Sequence, residues 1–218
     1  NGAIGLGTAT SSYSTPVVVD SGVSYSKVAA AGWNTCAITT SGVLKCWGYN
    51  YYGAVGVGTS TSSYNLPQVV MDGTKFIDVS LGGGDSVCAI SEAKDLYCWG
   101  KGDYYRLGLG NTTNYSAPQL VASGTKFDSV RAGANAGCAI RTSDQRVMCW
   151  GSNSPYGVLT GTLGNNNVSA TTPQLISDTE SYISIGAPGI SMCGITSSQT
   201  LKCWGSNRYG GTANDSVF

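Results

Sequence analysis

Eight cysteines, falling into four evenly repeated pairs, constrain this 218-residue chain more than any other feature. The pairs are Cys36 and Cys46, Cys88 and Cys98, Cys138 and Cys149, and Cys193 and Cys203. Their first members recur at intervals of 52, 50 and 55 residues. The second is followed each time by Trp-Gly, as Trp47-Gly48, Trp99-Gly100, Trp150-Gly151 and Trp204-Gly205. Behind the motif comes a glycine-rich turn, such as Gly53-Ala54-Val55-Gly56-Val57-Gly58 or Leu107-Gly108-Leu109-Gly110. A Ser/Thr/Asn loop follows, then a proline opening an apolar stretch: Pro67-Gln68-Val69-Val70, Pro118-Gln119-Leu120-Val121, Pro173-Gln174-Leu175-Ile176. A last short stretch, Phe76-Ile77-Asp78-Val79 or Phe127-Asp128-Ser129-Val130, leads to the next cysteine. A unit this small cannot bury its own apolar face, so the units must stack. About four short strands per ~50 residues is the content of one propeller blade. The prediction is an all-β propeller of four blades, each of four short antiparallel strands.

The period also divides the chain. A single repeat domain spans 1–218, with a half-repeat at 1–22, repeats at 23–74, 75–125 and 126–180, a half-repeat at 181–210 and a tail at 211–218. Gly5-Leu6-Gly7 and Pro16-Val17-Val18-Val19 match the second half of a unit, and Cys203-Trp204-Gly205-Ser206-Asn207-Arg208-Tyr209-Gly210 matches a first half. The two halves are expected to complement each other in a fourth blade, either within one closed ring or head-to-tail between copies, because an unpaired strand edge is costly. The chain opens at Asn1 without an initiator Met, as a processed form or as an excerpt of a longer one.

The string Cys-Ala-Ile…Leu-Lys-Cys-Trp-Gly-x-Asn-x-x-Gly, then Gly-x-Gly, then Pro-x-x-Val, resembles the regulator of chromosome condensation repeat. Four in-phase copies cover nearly the whole chain. The resemblance implies a propeller, usually of seven blades where this chain supplies four. The third unit departs from the pattern by an insertion from Pro155 to Thr162, and residues 211–218 fit no repeat.

Pairing Cys36 with Cys46 sets Ile38 opposite Leu44 and leaves Thr40-Ser41-Gly42 as a three-residue hairpin loop, a favoured geometry with glycine at the left-handed position. The same register opposes Ile90 to Leu96 and Ile195 to Leu201, while the third loop, Thr142 to Gln145, is one residue longer. Directly opposed cysteines come within disulfide reach. Each bridge would stabilise the fold by up to about 3 kcal/mol in the chain-entropy model. Buried reduced thiols acting as small hydrophobes are the rival reading. A metal site is disfavoured, since no Cys-x-x-Cys and no histidine occurs. Disulfides place the chain in an oxidising compartment, hence secreted.

The remaining signals are weaker. The four motif tryptophans read as packing between blades. Trp33 lies outside the pattern and is a candidate exposed contact. Tyr49, Tyr51, Tyr52, Tyr104, Tyr105 and Tyr209 gather beside the glycine-rich turns, where they either cap the rim or offer a surface for stacking sugars or docking proteins. Glycosylation sequons fall at Asn111, Asn114, Asn167 and Asn214, no more than the composition yields by chance. The acidic residues are scattered, Asp72-Gly73 and Asp20-Ser21-Gly22 read as turns, and no helix follows the Gly-x-Gly stretches to receive a phosphate. No catalytic set, cofactor or metal is therefore expected. Twelve basic and twelve acidic residues give no electrostatic reason to expect nucleic acid or an anionic membrane, and no apolar run is long enough to insert.

Three function classes remain. The first is a secreted, non-enzymatic glycoprotein acting as a structural or protein-interaction module, with other proteins or copies of itself as partners, including a filament. The second is a carbohydrate-binding lectin. The third, an exchange factor for a small GTPase, is implied by the family resemblance; the disulfides and the absence of a basic tail count against it.

Overall fold

Each cysteine pair sits where two short, apolar, turn-bounded stretches fold back on each other. The computed structural model describes residues 3–7, 12–60, 63–83, 85–153, 161–166, 169–186, 189 and 191–206. In it every pair lies at the centre of a hairpin. Cys36 opposes Cys46, Cys88 opposes Cys98, Cys138 opposes Cys149 and Cys193 opposes Cys203. All four are disulfide-bonded, with Cα atoms 4.0–4.1 Å apart. The expected neighbours Ile38 and Leu44, Ile90 and Leu96, and Ile195 and Leu201 are paired as well. Gly42 takes φ 88° in the first loop; Lys94, Gln145 and Gln199 take the equivalent left-handed place in the others.

Strands added on either side of the hairpin complete a meander. The first sheet runs β1 (Tyr25–Ala31), β2 (Asn34–Thr39), β3 (Leu44–Tyr49), β4 (Ser63–Val69). The second is β5 (Phe76–Gly82), β6 (Ser86–Ser91), β7 (Leu96–Gly100), β8 (Tyr115–Val121), and the third β9 (Phe127–Ala132), β10 (Ala136–Arg141), β11 (Val147–Gly151), β12 (Ala170–Leu175). The fourth has three strands among the described residues: β13 (Tyr182–Ile185), β14 (Ser191–Thr196) and β15 (Leu201–Gly205). The chain is thus an all-β array of antiparallel blades, as the period requires. Pro16–Val19 carry no strand pairing, and the tail and most of the third-unit insertion lie outside the described residues.

One contact recurs at every blade boundary. The indole N–H of each motif tryptophan donates to a backbone carbonyl in the glycine-rich turn one unit earlier. Trp47 bonds Ala3 at 2.9 Å, Trp99 bonds Ala54 at 2.9 Å, Trp150 bonds Arg106 at 2.8 Å and Trp204 bonds Thr162 at 2.9 Å. Two residues past each carbonyl is a glycine with positive φ, lying against the ring. A Cβ on Gly56 would stand 2.6 Å from Trp99 Nε1, and one on Gly5 2.7 Å from Trp47 Nε1. The described N-terminal residues therefore serve the first blade as residues 54–58 serve the second. Gly7 N–H donates to the Asn65 carbonyl just as Gly58 donates to Ser116 and Gly110 to Thr171.

The first strands of the first three blades lie side by side, and Asp78 on β5 joins all three. Its carboxylate, almost fully buried, meets Lys27 on β1 and Arg131 on β9, and it accepts the Val79 and Val130 backbone N–H groups at 2.9 Å. Four partners satisfy a charge that burial alone would make prohibitive.

Among the described residues, none covers the two end faces of the array as neighbouring blades cover the others. Ile38 and Leu44, Ile90 and Leu96, and Ile140 and Val147 are buried under the next blade, but Ile195 is 39% exposed and Leu201 67%. Val79, Val130 and Ile185 are buried under the preceding blade, whereas their counterpart Val28 is 68% exposed. The fourth blade faces the third through a polar set in which Asp178 accepts from Tyr182 Oη and Lys202 Nζ, both at 2.7 Å. The first blade presents the same set, Asp20 accepting from Tyr25 Oη and Lys45 Nζ at 2.6 Å.

Gly56→Ala and Gly58→Ala isolate the indole contact, because both glycines have φ above 80° but only open space surrounds Gly58. Urea unfolding is expected to show a loss of about 1 kcal/mol for Gly58→Ala and about 3 kcal/mol for Gly56→Ala. The ion pairs set the acid limb. Lys202 holds the Asp178 carboxyl down at about 2, and Lys45 lowers Asp20. A depressed carboxyl stabilises the fold above its unfolded value of 3.8 and loses that contribution as pH falls through the folded value. The urea midpoint should therefore fall steadily from about pH 5 to about pH 2, more shallowly in Asp178→Asn.

Candidate functional site

Strand direction sorts the loops to two ends. At one end lie the β2–β3, β6–β7, β10–β11 and β14–β15 hairpin loops together with the links between blades. Ion pairs dominate there: Lys45–Asp20, Lys94–Asp128, Lys126–Asp95, Arg141–Asp144, and Lys202 with Asp178 and Glu180. Two of them, Lys94–Asp128 and Lys126–Asp95, cross between the second and third blades. A surface of mutually neutralised charges offers little to a partner.

The opposite end, where each Cys-Trp-Gly strand emerges, carries the aromatic residues. Its scaffold is fixed by a repeated bond. In the first three blades the backbone N–H two residues after the motif tryptophan donates to the carbonyl of the residue three before the first cysteine: Tyr49 to Trp33, Lys101 to Asp85, Ser152 to Asn135. The intervening glycine permits this approach. On Gly48, φ 113°, a Cβ would stand 2.1 Å from the Trp33 oxygen, and on Gly100 2.3 Å from the Asp85 oxygen. Trp33, Asp85 and Asn135 therefore occupy equivalent places on neighbouring blades, with their backbones fixed.

From Trp33 a continuous aromatic strip runs across the first blade. Trp33 meets Tyr49 edge-on at 5.3 Å between ring centroids, Tyr49 stacks on Tyr51 at 6.3 Å, and Tyr51 meets Tyr52 edge-on at 5.1 Å. Lys101 Nζ lies 4.7 Å from the Tyr52 ring centroid, and it also pairs with Asp103 at 3.3 Å. Trp33 is 54% exposed and Tyr51 62%, while Tyr49 and Tyr52 are half-buried and hold the outer rings in place. Exposed aromatics on a fixed support lose little side-chain freedom on binding.

Of the sequence-predicted contact residues, Trp33, Tyr51 and Tyr52 come together. Tyr104 and Tyr105 are half-buried in a 3-10 turn, both at φ 59°, with the Arg106 guanidinium 5.6 Å from the Tyr104 ring. Tyr105 stands where the first blade has Gly53, a conformation that costs a bulky residue about 1–2 kcal/mol. Tyr209 lies outside the described residues. Trp47, Trp99 and Trp150 are buried and Trp204 half-buried between blades, as read from the motif.

Sequence reasoning missed Asp85. Burial pushes its carboxyl above the ordinary Asp value, against the pull of Lys101 and Arg106. One of its oxygens stands 3.9 Å from where a Cβ on Gly32 would be, beside Trp33. It also missed the Asp78 cluster, although Lys27 and Arg131 lie 51 and 53 residues away, one repeat in either direction.

The sequons divide. Asn111 is half-buried, donating to Tyr115 Oη at 3.1 Å and accepting from Thr113 N–H. Asn114 is exposed, and its Oδ1 accepts from Gly102 N–H at 2.9 Å. Asn167 and Asn214 lie outside the described residues. A cleft of about 230 Å3 beside Gly164, Ile176 and Trp204 contains the Asp178–Tyr182–Lys202 set, whose polar groups satisfy one another. Among the described residues no three His, Cys, Asp or Glu side chains converge as metal ligands, and no helix is long and apolar enough to cross a membrane.

Comparison with known proteins follows the repeat. Two models of the regulator of chromosome condensation (RCC1) repeat match, one at residues 41–89 and 95–140, the other at 25–54. The human E3 ubiquitin-protein ligase HERC2 is 30% identical over 187 residues, which are 83% of this chain and 4% of that protein. The ultraviolet-B receptor UVR8 of Arabidopsis thaliana is 32% identical over 122 residues, 54% of this chain and 27% of the receptor. Among solved structures, human WBSCR16 superposes with a TM-score of 0.73 at 20% identity, covering 86% of this chain and 49% of that one. Yeast RCC1 (Prp20), bound to Kap60, gives 0.64 at 22% identity, covering 76% and 40%. These likenesses concern the fold, and this chain spans a small part of the curated relatives it matches.

Iodide quenching is expected to act chiefly on Trp33, since Trp47, Trp99 and Trp150 are buried and Trp204 is half-buried. Trp33→Phe should remove most of the quenchable fluorescence while changing unfolding free energy by no more than about 0.5 kcal/mol.

Proposed function

As the chain belongs to the RCC1 repeat family, we propose that it is a non-enzymatic, secreted protein-interaction module that docks partners through its aromatic end. The observation that carries this reading is the exposed Trp33–Tyr49–Tyr51–Tyr52 strip on a scaffold whose other polar groups are largely satisfied among themselves. Tryptophan and tyrosine dominate the energetic centres of protein interfaces. Four disulfides suit an oxidising, extracellular setting. Yeast Prp20, similar in fold, is bound to Kap60 in one structure, and its binding to Gsp1p and histones was studied with another. Protein binding thus has precedent on this architecture, and the exchange-factor reading rests on that precedent alone.

Copies of this chain are among the proposed partners. The open face of the fourth blade, with Ile195 and Leu201, matches those that the first three blades bury. The open face of the first blade repeats the polar set found at the boundary between the third and fourth blades. Complementary, non-identical faces give head-to-tail association, including a filament. Complementation of the fourth blade by the N-terminal half-repeat belongs to the same proposal. Glycans are proposed at Asn114 ahead of Asn111, whose side-chain nitrogen is already engaged. Asn167 and Asn214 remain proposed acceptors from the sequon alone. The lectin reading is favoured by the same strip, since aromatic faces also stack on sugars.

Trp33→Ala combined with Tyr51→Ala is expected to abolish binding to a purified partner while leaving the melting temperature within about 2 °C. Unchanged binding would refute docking at the aromatic end, and loss of glycan-array signal in the same variant would favour the lectin. In sedimentation, Leu201→Asp should shift the chain toward monomer.

A further inference from the structure

In the first three blades the residue three places before the first cysteine has a fixed backbone and a different side chain each time. Its carbonyl is locked by the N–H two past the motif tryptophan, through a glycine that tolerates no Cβ. The residue is tryptophan, aspartate and asparagine on three successive blades. Side-chain type still matters to the backbone at Asp85, whose φ of 60° is a left-handed conformation that aspartate tolerates better than most residues. Asn135 is already engaged, its Oδ1 accepting from Arg106 Nη2 at 3.2 Å. Trp33 and Asp85 are not. Trp33 shows more than half its surface to solvent, and among the described residues the Asp85 carboxylate accepts no hydrogen bond and closes no ion pair.

The charges around Asp85 make it the acceptor left over at this end. Lys101 is held over the Tyr52 ring and against Asp103. Arg106 is buried, bonding the Asp103 carbonyl and Asn135. Both lie close enough to act on Asp85 electrostatically, but neither occupies it. A half-buried carboxylate whose Oδ1 stands 3.9 Å from the Cβ position of Gly32, next in sequence to the exposed Trp33, can share a cationic side chain with that ring, through a charge-assisted hydrogen bond from one and cation–π attraction from the other. A neutral sugar can use the carboxylate as a hydrogen-bond acceptor but gains nothing from its net charge, whereas a cation gains both, and an acidic group would be repelled.

We propose that Trp33 and Asp85 form one subsite that takes a lysine or arginine side chain of a protein partner. This inference rests on the protein-docking reading and names the chemistry of what docks. The tyrosine strip continuing from Trp33 would receive apolar residues flanking that cation.

The test uses the whole chain, 15N-labelled, and two short blocked peptides, Gly-Leu-Arg-Gly and its citrulline analogue, which keeps the shape of arginine and removes its charge. Millimolar arginine peptide is expected to shift the Trp33 indole and Asp85 amide resonances. Citrulline should weaken binding by roughly three- to five-fold. Asp85→Asn should weaken the arginine peptide by the same factor and leave the citrulline peptide unchanged, so that the cycle closes on a coupling between charge and carboxylate. If both peptides shift Trp33 equally, or Asp85→Asn has no effect, the cation subsite is wrong while docking at the aromatic end stands. If neither peptide shifts these resonances but triacetylchitotriose does, both readings fall. If no probe shifts them, the subsite is refuted.

Discussion

The bond from each motif indole to a carbonyl of the preceding unit is the contact on which the rest of the molecule depends. It is the point where one blade fixes the position of the next. It addresses backbone, so the residue supplying the oxygen is free to vary, and Ala3, Ala54, Arg106 and Thr162 all serve. The glycine two residues later has no such freedom, because the ring lies where its side chain would be. The disulfide is the second part of the device. It staples the hairpin whose second strand carries the tryptophan, so the backbone bearing the ring is held from within its own blade. A short covalent ring thereby supports a long-range contact, and this matters in a fold with no helical scaffold among its described residues beyond a single 3-10 turn.

Much of this was legible because it is local or periodic. A cysteine pair ten or eleven residues apart around a turn fixes a hairpin register, and the register fixes the partners of Ile38 and Ile90. What escaped was whatever needed two units compared in phase. Asp78 sits in an apolar strand, where a carboxylate is anomalous, and its cations lie one repeat away on each side. Laying the charged residues on the same period as the cysteines would have exposed the cluster. The kinship of Asp20, Tyr25 and Lys45 with Asp178, Tyr182 and Lys202 would have emerged the same way. The aromatic site was half legible. Trp33 stood out by falling off the pattern, and the tyrosines by crowding the turns. Which of them face solvent depends on the φ angles of the turns, which composition does not reveal. Tyr105 adopts a glycine's conformation, and nothing in its neighbours announces that.

The two ends of the blades divide labour in a way the repeat itself explains. Links between blades enter at the hairpin end, so charges placed there lie within reach of the adjacent unit and are used to tie units together. Lys94 with Asp128 and Lys126 with Asp95 do this across one boundary. At the other end the backbone is held by carbonyl bonds, glycines and a few buried side chains such as Asn50 and Arg106, which leaves Trp33 and Tyr51 facing solvent. The largest exposed rings and the unengaged carboxylate are found at this end.

The same nearest-neighbour logic governs the open faces. In a stacked array the stability of a unit is its own plus that of its boundaries. The fourth blade has one described boundary, to the third, and its motif tryptophan is half-buried where the second and third are fully enclosed. Its disulfide-linked hairpin is complete, yet Leu201 and Ile195 lie exposed at positions that carry the core elsewhere. In the first blade, residues 3–7 supply to Trp47 the carbonyl and glycine that Thr162 and Gly164 supply to Trp204, and Trp47 is buried there. Opening should therefore begin at the fourth blade and spread inward, meeting its main resistance at the boundaries bridged by Asp78. That carboxylate ties the first three blades and leaves out the fourth, so the array divides into a cooperative body of three units and one whose order depends on whatever covers its outer face.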